Sequence, residues 1–180
     1  FNSYDKKPVY AENISVSVEE EDKLGGGIHL DLASQVVLVM GGSISDIFSG
    51  DNIIVLFTSR RIIENALLQP YDSSNISFAD AYLDISNMRN RANLPVNFFP
   101  LNNTNHFTRL QDSMMNAMHE NITKAWLQVD KPDKRMDIYE VVFKSNDEKL
   151  SKLFTEDLVN EVSKFYTATK TKKARYNVYI

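Results

Sequence analysis

The sequence predicts an α+β fold: a small mixed sheet packed by several helices, the last of them long. Three observations carry this prediction. Ile14, Val16 and Val18 alternate with Ser15 and Ser17, which is the period of a strand with one buried face. A Lys-Pro-Asp-Lys turn signal at 131–134 separates two stretches of strand-forming residues, which indicates a hairpin. Apolar residues recur at helical intervals over 51–68 and again after residue 146.

The strands are expected at Val9–Glu20, Lys124–Asp130 and Asp137–Phe143, the last two forming the hairpin. The stretch from His29 to Met40 is short and apolar, and we expect it to be helical. Gly41 and Gly42 follow it and break the chain.

One continuous helix is predicted from Asp51 to Leu68, capped by Ser49 or Asp51 and ended by Pro70. The polar segment 71–105 is predicted to be mostly loop, with a short helix over 78–88.

Two capping boxes mark the starts of the later helices. Thr108 and Gln111 have the required spacing, and so do Ser145 and Glu148. The second box is expected to open a helix from about Asn146 to Lys170 or beyond.

Arg60 falls in the middle of the apolar face of the predicted 51–68 helix, with Glu64 one turn later. A buried guanidinium keeps its proton, so it needs a partner. The i,i+4 spacing supplies Glu64, and a backbone carbonyl is the alternative. We interpret Arg60 and Glu64 as a structural ion pair whose loss would cost about 3 kcal/mol. Arg61 lies on the flank and is a candidate contact for assembly.

A cluster of Lys170, Lys172, Lys173 and Arg175 lies late in the last predicted helix. Cations are favoured near a helix C-terminus, which is one explanation. Contact with an anionic glycan polymer or with lipid headgroups is the other.

Composition narrows the function. The 180 residues carry a net charge of −4, which argues against a nucleic-acid-binding protein. The chain has no cysteine, which excludes disulfides, thiolate metal sites and cysteine nucleophiles. The apolar runs are too short for the ~20 residues of a membrane span. Because the sequence begins at Phe1 rather than Met, we expect it to be an excised segment or a processed product.

No residue pattern marks a catalytic or cofactor site. His29, His106 and His119 lack the spacing of a zinc motif, and no glycine-rich phosphate loop is present. We therefore expect no metal, no cofactor and no enzymatic activity, although catalytic groups can also converge from distant positions.

Two segments resemble a known family. The first runs from Phe48 through Leu56-Phe57-Thr58-Ser59-Arg60-Arg61 to Leu68; the second runs from Val141 through Ser145-Asn146-Asp147 to a helix containing Glu161–Tyr166. They are similar to the Wzz-type chain-length determinants, or polysaccharide co-polymerases. In that family, a helix with a leucine–serine–arginine element follows the first strand. A later strand ends in a serine–x–aspartate turn that opens a long helix.

The resemblance implies that residues 1–180 are a single periplasmic base domain, lying between two transmembrane helices outside this sequence. It implies a location at the bacterial inner membrane, on the periplasmic side. The family is non-enzymatic: its subunits form homo-oligomeric rings that set the length of a polysaccharide chain such as O-antigen, beside a separate polymerase. The isolated domain is expected to be monomeric or weakly associated.

Two alternatives remain open. The same kind of domain occurs in polysaccharide export proteins linked to a tyrosine kinase, so the chain beyond this segment would decide between them. The second alternative is a glycan-processing enzyme, because aromatic residues form 11% of the chain and could line a sugar cleft.

Overall fold

The computed structural model describes residues 9–19, 30–31, 35–39, 51–73, 75–102, 107–133, 135 and 138–178. Side chains are described at 9–16, 52–73, 75–102, 107–133, 135 and 138–168.

Strands and helices alternate in blocks rather than singly along the described chain. The strands are β1 (Tyr10–Glu19), β2 (Leu30–Asp31), β3 (Gln35–Val39), β4 (Leu127–Asp130) and β5 (Ile138–Ser145). The helices are α1 (Asp51–Thr58), α2 (Arg60–Leu67), α3 (Phe78–Ile85), α4 (Met88–Ala92), α5 (Arg109–Asn121) and α6 (Glu148–Val178).

The strands form one mixed sheet in the order β2-β3-β1-β5-β4. β1 runs parallel to β3 and antiparallel to β5, and β4 and β5 form the expected hairpin. Tyr10 pairs with Ser145, and Val16 pairs with Tyr139. The predicted α+β class with a small mixed sheet and a long last helix is therefore confirmed.

One face of the sheet forms the core together with α6. Val16, Tyr139 and Val141 on this face are fully buried. Buried side chains recur along α6 at every fourth residue: Leu150, Phe154, Leu158, Val162 and Tyr166. Each such side chain contributes roughly 1.5–3 kcal/mol when it is removed from water, so this contact is a major source of stability.

The predicted helix from His29 to Met40 is wrong. Leu30–Asp31 and Gln35–Val39 are strands β2 and β3. Three of the five residues of β3 are valine, whose branched Cβ favours a pleated strand over a helix. β1 offers β3 a parallel partner. The chain break predicted at Gly41 and Gly42 lies outside the described residues.

The single predicted helix over 51–68 is also wrong, because Ser59 divides it into α1 and α2. Ser59 has an extended backbone, with ψ 140°, and stands as the N-cap of α2. A helical periodicity of apolar residues is insensitive to a break of one residue. The capping role predicted for Ser49 lies outside the described residues.

Two further boundaries differ from the predictions. A π-helix occupies Ile122–Trp126, so β4 begins at Leu127 rather than Lys124. The short helix expected over 78–88 is two helices, α3 and α4, joined through Asn87. Asn87 adopts a left-handed backbone, with φ 59°, which asparagine tolerates better than most residues.

The capping box of Thr108 and Gln111 is confirmed, with both of its hydrogen bonds present. The box of Ser145 and Glu148 is wrong. Asp147 instead caps α6, accepting the Leu150 N–H at 2.7 Å. Ser145 Oγ accepts a hydrogen bond from the Asp147 N–H and shares another with Ser151 Oγ.

Candidate functional site

Arg60 is placed at the first position of α2, at the surface rather than within an apolar face. Its Nε donates to Glu64 Oε1 at 2.6 Å, and its Nη2 donates to Asp112 Oδ1 at 2.6 Å. The Arg60 side chain is 43% exposed, so its predicted burial is wrong. The break at Ser59 causes this difference, because the apolar face of α1 does not continue in register through Arg60.

Electrostatics at Arg60 follow from these contacts. The hydrogen bond to Glu64 raises the pKa of Arg60 above its ordinary value, and Asp112 contributes in the same direction. Glu64 is more enclosed than Arg60, with 17% of its side chain exposed. The resulting triad joins α2 to α5 by charge–charge contact.

Helix α5 also contacts the end of α1, on the other side of the break at Ser59. His119 Nε2 lies 2.9 Å from the carbonyl oxygen of Thr58, the last residue of α1. A carbonyl can only accept, so His119 is assigned as the donor through Nε2. In an unbroken helix, Thr58 O would accept the N–H of residue 62. His119 therefore satisfies an acceptor that the break leaves without its helical donor.

The remaining predicted contacts are only partly described. Arg61 is exposed on α2, beside this junction. The backbone of α6 is helical through the cluster of Lys170, Lys172, Lys173 and Arg175, but the side chains of the cluster lie outside the described residues.

A buried cluster of charged and polar groups on α3 and α4 was not predicted from the sequence. Asp80 on α3 and Arg89 on α4 form an ion pair, with 2.7 Å between Oδ1 and Nη2. The two side chains are only 1% and 9% exposed, respectively. Arg89 also donates to Asp84 and to the Pro95 carbonyl. Burial opposes the charge on Arg89, yet the bonds to Asp84 and Asp80 raise the pKa of Arg89 overall.

Asp80 links the two helices to the loop that follows them. Its carboxylate accepts the N–H groups of Phe98 at 2.9 Å and Phe99 at 3.1 Å. The Ser77 hydroxyl donates to the same carboxylate, while Ser77 Oγ accepts the Asp80 N–H. These protein groups satisfy the hydrogen-bonding capacity of the Asp80 carboxylate, which indicates a structural role for the cluster. Ser77 and Asp80 have the spacing of a capping box at the start of a helix, and this spacing was the local sequence pattern that could have indicated the cluster.

Asp157 on α6 is a carboxyl group whose pKa is raised above its ordinary value. Burial raises the pKa of Asp157 to about 6 against the opposing charge of Lys164, with smaller contributions from Glu161 and Glu156. Glu161 is itself buried and accepts a hydrogen bond from Lys164 Nζ at 2.7 Å. This face of α6 carries two enclosed carboxyl groups and one ammonium group.

Metal-binding geometry is not found in the part of the chain that the structure describes, where no three histidine or acidic side chains converge. Within the same residues, none of the helices combines the length and apolar character that crossing a membrane would require. Comparisons of the chain with models of protein families, with curated proteins and with solved structures found no match.

Proposed function

We propose that this chain is the periplasmic base domain of a Wzz-type chain-length determinant, a non-enzymatic scaffold that sets the length of a surface polysaccharide. One observation carries the proposal. β5 passes through the Ser145–Asp147 turn directly into α6, a helix of 31 residues. A helix of that length extends about 46 Å. The family has this strand, turn and long helix in the same order.

The pairing of β1 with β5 also supports the proposal. The family resemblance places the opening strand beside the later part of the domain, and β1 pairs with β5 from Tyr10 to Ser17. The leucine–serine–arginine element falls at the junction of α1 and α2, where Ser59 occupies the N-cap position of α2 and Arg60 begins the helix. These residues have structural roles, as a scaffold function requires.

The partners follow from this proposal. The full-length protein would associate with further copies of itself, with a polysaccharide polymerase and with the growing polysaccharide chain. Flanking helices would anchor it in the bacterial inner membrane, with this domain on the periplasmic side.

Deletion of the gene, followed by complementation with the full-length gene, tests the proposal in the native organism. Surface polysaccharide is extracted and its size distribution is resolved on a gel. We expect polymer to persist without its preferred length, and the wild-type gene to restore that length. An unchanged distribution in the deletion strain would contradict the proposal.

The same strains, together with the purified domain, distinguish the two alternative functions from the scaffold proposal. A kinase-linked export protein predicts loss of export together with loss of tyrosine phosphorylation, and its full-length sequence would contain a nucleotide-binding domain. A glycan-processing enzyme predicts that the purified domain shortens isolated polysaccharide. Cleavage in that incubation would overturn the scaffold proposal, whereas intact polymer would agree with it.

A further inference from the structure

We draw no further inference here: the strongest candidate, the polar outer face of the sheet around Asn13, Gln128, Glu140 and Lys144, has side chains that hydrogen-bond to one another or to Asp130, and nothing in the structure shows what covers it.

Discussion

Asp80 and Arg89 lie nine positions apart on separate helices, yet they form a buried ion pair with a 2.7 Å contact. The pair is satisfied on both sides. Asp80 accepts two backbone N–H groups from Phe98 and Phe99, and Arg89 reaches the Pro95 carbonyl. The loop after α4 is therefore attached to α3 through one carboxylate.

Substitution of Arg89 should reduce the stability of the folded protein substantially. Arg89→Ala would leave Asp80 charged, enclosed and without its cation, and we expect a loss of about 3–5 kcal/mol in the free energy of unfolding. Urea denaturation monitored by circular dichroism measures this loss.

The matched control is Asp84→Asn. Asp84 also accepts from Arg89, but 56% of its side chain is exposed. We expect a cost below about 1 kcal/mol for this variant. Comparable losses for Arg89→Ala and Asp84→Asn would show that the Asp80–Arg89 pair is not the main attachment.

Arg60→Ala should reduce stability much less than the loss of a buried ion pair would. Because 43% of the Arg60 side chain is exposed, its contacts with Glu64 and Asp112 should contribute about 0.5–1 kcal/mol. Added salt should reduce the difference from wild type, since exposed charges are screened. Arg61→Ala is the neighbouring control and should change stability less. Thermal denaturation at low and high salt measures both variants, and a salt-independent loss near 3 kcal/mol would restore the buried interpretation.

Asp157 should make stability depend on pH. Its pKa of about 6 in the folded protein exceeds the value near 3.9 of an unperturbed aspartate. The folded state therefore binds the proton more tightly than the unfolded state. The associated stability is fully present below about pH 4 and is lost as pH rises through about 6.

Asp157→Asn should remove this dependence. We expect the variant to be more stable than wild type by about 1 kcal/mol at pH 8, a value reduced for the partial exposure of the group. Near pH 4 the gain should disappear. Glu148→Gln, an exposed carboxyl group on the first turn of α6 that does not contribute to the shift of Asp157, serves as the control. A melting temperature of Asp157→Asn that exceeds wild type equally at both pH values would argue against the raised pKa.

The cap of α6 can be assigned by two substitutions. Asp147→Ala removes the acceptor of the Leu150 N–H and should cost about 1 kcal/mol. Glu148→Gln should cost only a few tenths of a kcal/mol, because Glu148 is exposed and contributes mainly through the helix dipole. Urea titrations distinguish the two, and the reverse order would reinstate the Ser145–Glu148 box.

Assembly of the isolated domain is tested by sedimentation velocity over a range of concentrations. We expect a monomer or a weak, concentration-dependent association. Stable interfaces usually bury more than ~1,200 Å² in total, and the proposed membrane helices would supply much of that area in the intact protein. A tight oligomer that persists on dilution would contradict this expectation.

Sequence periodicity was sufficient for those elements whose stability depends on one long apolar face. β1 and α6 were predicted from such a face, the hairpin from its turn signal and α5 from its capping box, and the burial of Leu158 and Val162 on α6 follows the expected spacing. The failures have local causes. At Ser59, one ψ angle ends a helix without altering the apolar pattern. β3 depends on pairing with β1, a contact distant in sequence.

The polar clusters were harder to predict than the core. Arg60 and Glu64 stand one turn apart, so helical geometry linked them, but burial had to be inferred from a helix that does not exist as one piece. Asp112 lies 52 positions from Arg60, and no sequence spacing relates them. The same holds for Asp80 and the N–H groups of Phe98 and Phe99. Such contacts depend on tertiary structure.

Mechanical load applied at the junction of β5 with α6 would act on one end of the β1–β5 ladder. Tyr10 opens β1 opposite Ser145, the last residue of β5, so the ladder has its free end there. Tension between the chain entering β1 and the first turn of α6 would peel the strands apart from that end, one hydrogen bond at a time. At this point Ser151 Oγ lies within hydrogen-bond distance of the Tyr10 carbonyl oxygen, at 3.3 Å, and of Ser145 Oγ, at 2.7 Å. We expect separation of the strands to begin at this pair, so the contacts of Ser145 and Ser151 would be the first to break.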